Sequence, residues 1–141
     1  MRIFHAVTML ERGGAQANTL LEAAEAGRRG HAAAVVASDG PLSEEARRLA
    51  EEGLAAFFPL PSLVREIRPA ADIRAARALE ALLRRWRPDV VHTHSSKAGI
   101  LGRWAARRAG VPVVVHTAHG WGFHDGQPWP VRRAFVEVER I

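Results

Sequence analysis

The sequence predicts an α/β domain, a single Rossmann-like, doubly wound parallel sheet with helices on both faces. Short apolar runs alternate five times along the chain with helical segments that glycine or proline brackets, which is the pattern of βαβ units. The apolar runs are continuous rather than alternating, as in parallel strands that are buried on both sides. With 141 residues, of which 48% are hydrophobic and 25% charged, the chain fits one globular domain, residues 1–141.

The predicted strands coincide with the apolar runs, and the predicted helices lie between them. The strands are 2–9, 31–38, 54–60, 89–94 and 112–116, and the helices are 15–29, 43–52, 72–86, 95–109 and one that begins at 130. Gly30, Gly53 and Gly110 end three of the helices, and Pro88 stops a fourth.

Apolar spacing also predicts which helix faces are buried. The expected core positions are Leu20, Leu21 and Ala24 in the first helix, and Ile73, Ala76, Leu79, Leu83 and Trp86 in the third. Side chains with an oxygen acceptor stand where helices begin. We therefore expect Asp72 to cap the third helix and Ser95 or Ser96 to cap the fourth.

Composition excludes several kinds of protein. The chain has no cysteine, so a disulfide framework and a thiolate metal site are excluded, which fits a cytoplasmic location. Residues 1–9 lack the small-residue cleavage signature of a signal peptide. No apolar stretch approaches the roughly 20 residues that a membrane-spanning helix needs.

The net charge of +5 is unevenly distributed along the chain. Residues 65–108 carry 11 basic and 4 acidic side chains, net +7, whereas residues 1–64 are net −2. A basic block of this kind indicates either an anionic partner, such as a nucleotide, a lipid phosphate or a membrane surface, or a solvated helical face. The sequence leaves both interpretations open.

Polar and glycine residues cluster after three of the predicted strands, where open α/β sheets bind their ligands. The first cluster contains Gly13 and Gly14, which would let the backbone approach a ligand and expose a helix N-terminus to an anion. It matches neither the GxGxxG fingerprint nor a Walker loop. Taken alone, the pattern favours a plain turn over a nucleotide site.

The second and third clusters are richer in chemistry. His92 and His94 point to one face of their strand, and Ser95, Ser96 and Lys97 follow at a helix N-terminus as a candidate phosphate or sugar-hydroxyl site. The segment 116–125 adds His116, His119 and His124, together with the aromatic rings of Trp121 and Phe123. Up to five histidines can therefore converge. Imidazoles in HxH spacing also suit zinc, but no clear carboxylate ligand accompanies them except Asp125, which lies on a loop. We therefore expect sugar binding and no metal.

The sequence resembles the N-terminal domain of the GT-B glycosyltransferases of family 4 over essentially its whole length. Three segments carry the resemblance: RGGAQ at 12–16, RPDVVHTHSSKAGILGRWAARRAGVPVVVHTAHG at 87–120, and WGFHD at 121–125. The resemblance implies one of two Rossmann-like domains that face a cleft. This domain would receive the acceptor, and the other would hold the nucleotide-sugar.

The resemblance also implies an activity and its residues. The expected reaction is retaining, metal-independent transfer of a hexose from a nucleotide-sugar to a glycan or a lipid-linked acceptor, without nucleic acid. Peripheral membrane contact is indicated separately by the aromatic residues Trp121, Phe123 and Trp129 near Arg132 and Arg133, which could instead pack against a second domain. His119, with Gly120, would lie against the transferred sugar. Gly13 and Gly14 would approach the donor phosphates or the acceptor, and His94, Ser95, Ser96 and Lys97 would lie on the acceptor side.

The C-terminal donor domain of that family has no counterpart within these residues. We therefore expect residues 1–141 to be inactive alone and to expose apolar surface where a second domain, or a second copy in a homodimer, would dock. Two other functions stay open on the sequence. One is a non-catalytic module that binds a glycan, a phosphate or a partner protein; the other is a nucleotide-sugar epimerase.

Overall fold

Each predicted strand and helix is present in a computed structural model of the chain, which describes residues 1–119 and 126–139. In chain order the elements are β1 (Arg2–Met9), α1 (Gly14–Arg28), β2 (Ala32–Ser38), α2 (Ser43–Glu51), β3 (Ala56–Pro59), α3 (Pro69–Trp86), β4 (Val90–His94), α4 (Ser96–Ala109), β5 (Val113–Thr117) and α5 (Trp129–Glu139). Boundaries differ from the predicted ones by up to three residues, most of all at the start of α3.

The five strands form one parallel sheet in the order β3-β2-β1-β4-β5. The chain builds outward in one direction from β1 to β3 and then returns to the other side of β1 with β4. This reversal leaves a crevice beyond the carboxyl ends of β1 and β4, the place where doubly wound sheets bind ligands. The predicted α/β class and parallel sheet are confirmed.

Two cores, one on each face of the sheet, hold the helices in place. Val7, Val35 and the α1 residues Leu20 and Ala23 are buried on one face together with α2. On the other face the buried residues are Phe4, Ala34, Val36, Leu79, Leu83, Val91, Ala105 and Ala106, which join α3 and α4 to the sheet. Alternate residues of β1 therefore serve opposite cores, as the pleat of a strand requires.

Two predicted core positions are wrong. Leu21 is 62% exposed and Ile73 is 54% exposed. Each helical residue turns the side chain by about 100°, so only Leu20 of the Leu20–Leu21 pair can face the sheet. In α3 the buried positions are Ala71, Ala75, Ala76, Leu79 and Leu83, a row from which Ile73 points away.

The caps of α3 and α4 also differ from the prediction. α3 begins at Pro69, a residue well suited to a first helical position. Asp72 lies in the first turn, where its Oδ2 accepts the Arg68 backbone N–H at 3.2 Å. Ser95 precedes α4, but its side chain makes no capping bond. The hydroxyl of Thr8, on β1, accepts the Ala98 N–H at 3.3 Å instead.

β5 departs from the prediction that every strand is covered on both faces. Val113, Val114 and Val115 are 48%, 39% and 42% exposed. β5 lies at the edge of the sheet, where it pairs with β4, and α4 is a helix in contact with it. The three valines leave apolar surface exposed at this edge, and the expectation that a second domain or a second copy docks on such a surface stays a prediction. No helix in the described ranges combines the length and the apolarity needed to cross a bilayer.

Candidate functional site

A cleft of about 710 Å³ opens beyond the carboxyl ends of β1 and β4. Its lining joins the three clusters that the sequence analysis singled out: Glu11 and Gln16 beside α1, Ser95 to Lys97 at the start of α4, and His119 after β5. The connection between β3 and α3 closes one side with Arg65 and Ile67. The crevice created by the strand order is therefore lined by segments distant in sequence, whose polar groups lie beside apolar side chains such as Met9, Ile100 and Leu101.

Ser95 occupies an unusual backbone position at the floor of the cleft. Its φ of 67° with ψ of 151° lies in a region that residues other than glycine rarely adopt. The side-chain Oγ lies 2.8 Å from Thr8 Oγ1, which anchors the turn to β1. Strained residues of this kind cluster at ligand sites. The turn also holds the first free N–H groups of α4 at the cleft.

Lys97 does not lie free in the cleft. Its Nζ forms an ion pair with Asp72 Oδ1 at 2.6 Å and also donates to the Glu66 carbonyl oxygen. Both side chains of the ion pair are largely buried, at 15% and 19% exposed. The sequence did not indicate this pairing, because Asp72 belongs to a different helix 25 residues earlier in the chain. Asp72 thus sets both the position of the ammonium and the local charge.

The predicted role of the glycine loop receives little support from the geometry. Gly13 and Gly14 are exposed and do not line the cleft, whereas the neighbouring Gln16 does. A Cβ on Gly14 would meet nothing within 4 Å, and one on Gly13 would meet only the flexible side chain of Gln16. Close backbone approach of these glycines to a ligand stays a prediction. Gly120 and residues 121–125 lie outside the described residues.

Below the cleft, imidazoles from β1 and β4 form a chain of contacts. His5 Nδ1 lies 3.3 Å from His94 Nε2, and His94 Nδ1 lies 3.1 Å from His119 Nε2. His5 and His94 are buried, while His119 is exposed to the cleft. The centroid of the His92 ring lies 4.0 Å from that of His94, with the two rings tilted by 41°. Sequence reasoning missed His5, although any sheet with β1 beside β4 pairs it with His92.

Glu22 of α1 points into the same group. Its Oε2 lies 3.2 Å from His92 Nδ1, 3.7 Å from His94 Nε2 and 3.8 Å from His5 Nδ1. The carboxylate that the sequence analysis did not find therefore comes from a helix far away in sequence. No sequence pattern marked it, because nothing within α1 indicates which strand residues lie opposite Glu22.

The predicted convergence of five histidines is only partly correct. His116 lies on the opposite face of the sheet, where its Nδ1 is 2.9 Å from Thr93 Oγ1 and its ring lies against Gly99 of α4. Adjacent residues of a strand alternate between faces, so His116 and Thr117 cannot both face α1. Thr117 is the one that does, with its Oγ1 2.7 Å from His92 Nε2.

Burial keeps the inner histidines neutral. Loss of solvent lowers the pKa of His5 to about 4, with a smaller contribution from the nearby His92. Burial, followed by the neighbouring imidazoles, lowers the pKa of His94 to about 2. Burial also lowers the pKa of His92, against the opposing effect of the Glu22 carboxylate. Neutral rings of this kind hold a fixed tautomer and an available lone pair.

We expect the chain to lose stability as the pH falls below about 6.5. In the unfolded chain His5 and His94 take up protons near the ordinary value of 6.5, whereas in the folded chain they stay neutral. The unfolded state thus binds more protons, and the free energy of unfolding at pH 5 should be lower than at pH 7.5 by about 2 kcal/mol for each of the two histidines.

Urea denaturation at several pH values, in the presence of a chelator, measures this dependence. His5→Gln should reduce the slope of stability against pH between 6.5 and 5, and His31→Gln, outside the cluster, should leave it unchanged. An identical slope in wild type and His5→Gln would contradict the assignment of the acid sensitivity to the cluster.

The fold and cleft define a doubly wound α/β domain with a polar ligand site at its strand reversal. A sequence model of the family described as "Glycosyl transferase 4-like domain" matches residues 13–141. The chain belongs to this family of glycosyltransferase domains.

Two known proteins show the extent of the similarity. The chain is 43% identical over 100 residues to the UDP-Gal:alpha-D-GlcNAc-diphosphoundecaprenol alpha-1,3-galactosyltransferase of Escherichia coli, a match that covers 71% of this chain and 24% of that protein. The crystal structure of a glycosyltransferase from Rickettsia africae ESF-5 superposes with a TM-score of 0.65 at 18% identity, over 95% of this chain and 33% of that one. The chain thus spans about a quarter to a third of these proteins.

Proposed function

We propose that residues 1–141 form the acceptor-side domain of a two-domain GT-B glycosyltransferase, which transfers a hexose from a nucleotide-sugar to a lipid-linked acceptor. The observation that carries the proposal is the meeting of the Ser95–Lys97 turn and His119 in one cleft at the strand reversal, in a chain of the glycosyltransferase 4-like family. The E. coli relative is named for a UDP-galactose donor and a diphosphoundecaprenol acceptor. A nucleotide-sugar and a lipid diphosphate are the substrates we infer here.

The cleft offers the groups that such a transfer needs. A lipid-linked acceptor carries a negatively charged diphosphate, and the free N–H groups at the start of α4 and the Lys97 ammonium are positioned to bind it. His119 supplies a hydrogen bond to a hydroxyl of the transferred sugar. Positioned dipoles of this kind act where charge develops in an oxocarbenium-like transition state.

The stereochemistry and the division of labour are part of the same proposal. We infer transfer with retention at the anomeric carbon and without a metal ion at the departing diphosphate, as the family resemblance implies. A second domain would hold the base and ribose of the donor, as the family resemblance also implies. A lipid-linked acceptor places the enzyme at the periphery of the inner membrane face.

The test is an assay of the polypeptide encoded by the open reading frame that contains these residues. Labelled UDP-galactose and other nucleotide-sugars are supplied with a GlcNAc-diphosphate-lipid acceptor, and products are analysed for transfer and anomeric configuration. Transfer to the lipid supports the proposal. Failure to transfer or hydrolyse any nucleotide-sugar, with folding verified, would refute it, and an epimerised nucleotide-sugar would assign the domain to a different reaction.

Substitutions at the two residues of the Lys97–Asp72 ion pair are expected to change the affinity for a diphosphate ligand in opposite directions. Lys97→Ala should weaken binding of a diphosphate ligand by about 10- to 100-fold, since a hydrogen bond to a charged group is worth about 1.5–3 kcal/mol. Asp72→Asn removes the competing carboxylate but keeps its shape, so it should strengthen the same binding several-fold.

Calorimetric titration of wild type and both variants with UDP and with a short-chain lipid diphosphate measures the effect. Arg85→Ala, an exposed position on α3 that the cleft does not include, is the matched charge control. If both Lys97→Ala and Asp72→Asn weaken binding equally, the pair only supports the fold, and Lys97 does not contact the anion.

A further inference from the structure

Four side chains from three elements converge below the cleft in an arrangement that the proposed transfer does not use. His5 comes from β1, His92 and His94 from β4, and Glu22 from α1. Each offers one nitrogen or oxygen atom, and these four atoms all lie within 4.8 Å of one another. His5 and His94 have side chains that are 4% and 0% exposed, whereas His92 and Glu22 are 17% and 36% exposed. The group is therefore enclosed on one side and reachable from solvent on the other.

Four of the six distances between these atoms lie close to those between ligands of one tetrahedral ion, and all six are within 4.8 Å. Zinc binds imidazole nitrogen and carboxylate oxygen at about 2.0–2.2 Å, and in a tetrahedron neighbouring ligand atoms then lie roughly 3.3–3.5 Å apart. Four of the separations are 3.3 Å (His5 Nδ1 to His94 Nε2), 3.2 Å (Glu22 Oε2 to His92 Nδ1), 3.7 Å (Glu22 Oε2 to His94 Nε2) and 3.8 Å (Glu22 Oε2 to His5 Nδ1). Most of these exceed the usual length of a direct hydrogen bond.

The remaining nitrogens of two of these rings have the outer partners that metal-binding histidines need. His92 Nε2 lies 2.7 Å from Thr117 Oγ1, and His94 Nδ1 lies 3.1 Å from His119 Nε2. Both distances are those of ordinary hydrogen bonds. Such outer bonds fix the tautomer that leaves the facing nitrogen free to bind the ion. In His92 and His94, one ring nitrogen thus faces the cluster and can bind an ion, while the other nitrogen forms the hydrogen bond that orients the ring.

We propose that His5, Glu22, His92 and His94 form a tetrahedral site for a divalent transition metal, with Zn²⁺ as the preferred ion. Three imidazoles and one carboxylate are a ligand set that zinc takes, and the chain has no thiolate to favour softer ions. Glu22 could not be recognised as a ligand from the sequence, because it belongs to α1, and only the fold places α1 over β4.

Four protein ligands close the coordination shell, so the ion has a structural part and does not contact the substrate. It ties β1, β4 and α1 together at the strand reversal. Through His94 it also acts on the cleft: with Nε2 on the ion, the proton of His94 lies on Nδ1 and is donated to His119 Nε2, which leaves the proton of a neutral His119 on its Nδ1. The metal site does not rest on the proposed transfer, and it agrees with transfer that needs no metal at the diphosphate.

Metal content and metal affinity test the proposal directly. The 141-residue chain, purified without a histidine tag, is stripped with a chelator and titrated with Zn²⁺ and Co²⁺. We expect one ion per chain, a rise in melting temperature with Zn²⁺, and a Co²⁺ visible spectrum of the intense four-coordinate type. Binding of less than a stoichiometric ion, or a six-coordinate Co²⁺ spectrum, would overturn the proposal.

Graded variants separate ligands from their surroundings. Glu22→Gln and His92→Gln alter the two partly exposed ligands and should therefore fold. Each should lower the affinity for Zn²⁺ by more than the roughly 10- to 100-fold that loss of an outer partner causes. Thr117→Val removes only the outer partner of His92, so its loss of Zn²⁺ affinity should fall within that range. His31→Gln, outside the cluster, should bind as wild type. Equal Zn²⁺ affinity in wild type, Glu22→Gln and His92→Gln would overturn the site even if the chain binds zinc.

Discussion

Replacing His119 with alanine is expected to lower kcat for sugar transfer by about 100- to 1000-fold, the loss typical for removal of one positioned donor at a developing charge. His119 is exposed in the cleft, and its only described polar contact is with His94 Nδ1 at 3.1 Å. An imidazole held from below in this way has one nitrogen free for a sugar hydroxyl. The effect should fall on kcat rather than on KM, since the bond matters most as charge develops.

The control for this prediction is His31→Ala, a histidine before β2 that lies away from the cleft. It should leave kcat and KM within about twofold of wild type, a change too small to reflect a lost contact. Because His119 is exposed, His119→Ala should keep the melting temperature of the wild type. A kcat that drops less than threefold, with folding intact, would remove His119 from the transfer mechanism and leave the cleft as a binding site only.

Gly27→Ala is expected to destabilise the fold by about 3 kcal/mol or more, although alanine favours helices. Gly27 lies near the end of α1, and a Cβ there would be 2.1 Å from the carbonyl oxygen of Leu54 and 2.7 Å from its carbonyl carbon. Backbone atoms that precede β3 cannot rotate away as a side chain can, so the helix must shift off the sheet. Overpacking of this kind costs 1–3 kcal/mol and occasionally more, which outweighs the helix gain of about 1 kcal/mol.

Gly14→Ala is the matched control within the same helix. A Cβ at Gly14 would meet nothing within 4 Å. Its free energy of unfolding should therefore stay within about 0.5 kcal/mol of wild type. Urea denaturation of both variants measures the difference. A Gly27→Ala protein as stable as the wild type would show that α1 does not pack on the Leu54 backbone as described.

The order and type of the elements were predictable because each depends on local signals. Gly30 and Gly110 adopt positive φ at 78° and 71°, as their places after helices predict. The strands were predictable from their apolar runs. Helix caps were not, because the groups that satisfy α4 come from elsewhere in the chain. Thr8 caps α4 across 90 residues, and no pattern around Ser95 indicates it.

The residues of the site also divide into those that local sequence signals predicted and those that only the fold revealed. Ser95, Ser96, Lys97 and His119 were predicted from their place after strands, and the fold brings all four to one cleft. His116 was expected there too, but strand alternation places it on the other face. Glu22 and Asp72 were missed, because a carboxylate on a helix looks like a solvated residue until the fold shows what lies opposite.

The sequence by itself determined the class of the fold, the family and the strand ends at which chemistry gathers, because periodicity, turn residues and a specific ordered segment are all local properties of the chain. Only the tertiary structure decided which partners meet: Lys97 with Asp72, Thr8 with α4, and Glu22 with three histidines. These are contacts between residues 17 to 90 positions apart, and their geometry follows from the order β3-β2-β1-β4-β5 and from how α1 and α3 pack on opposite faces of the sheet. Local sequence patterns do not indicate that packing.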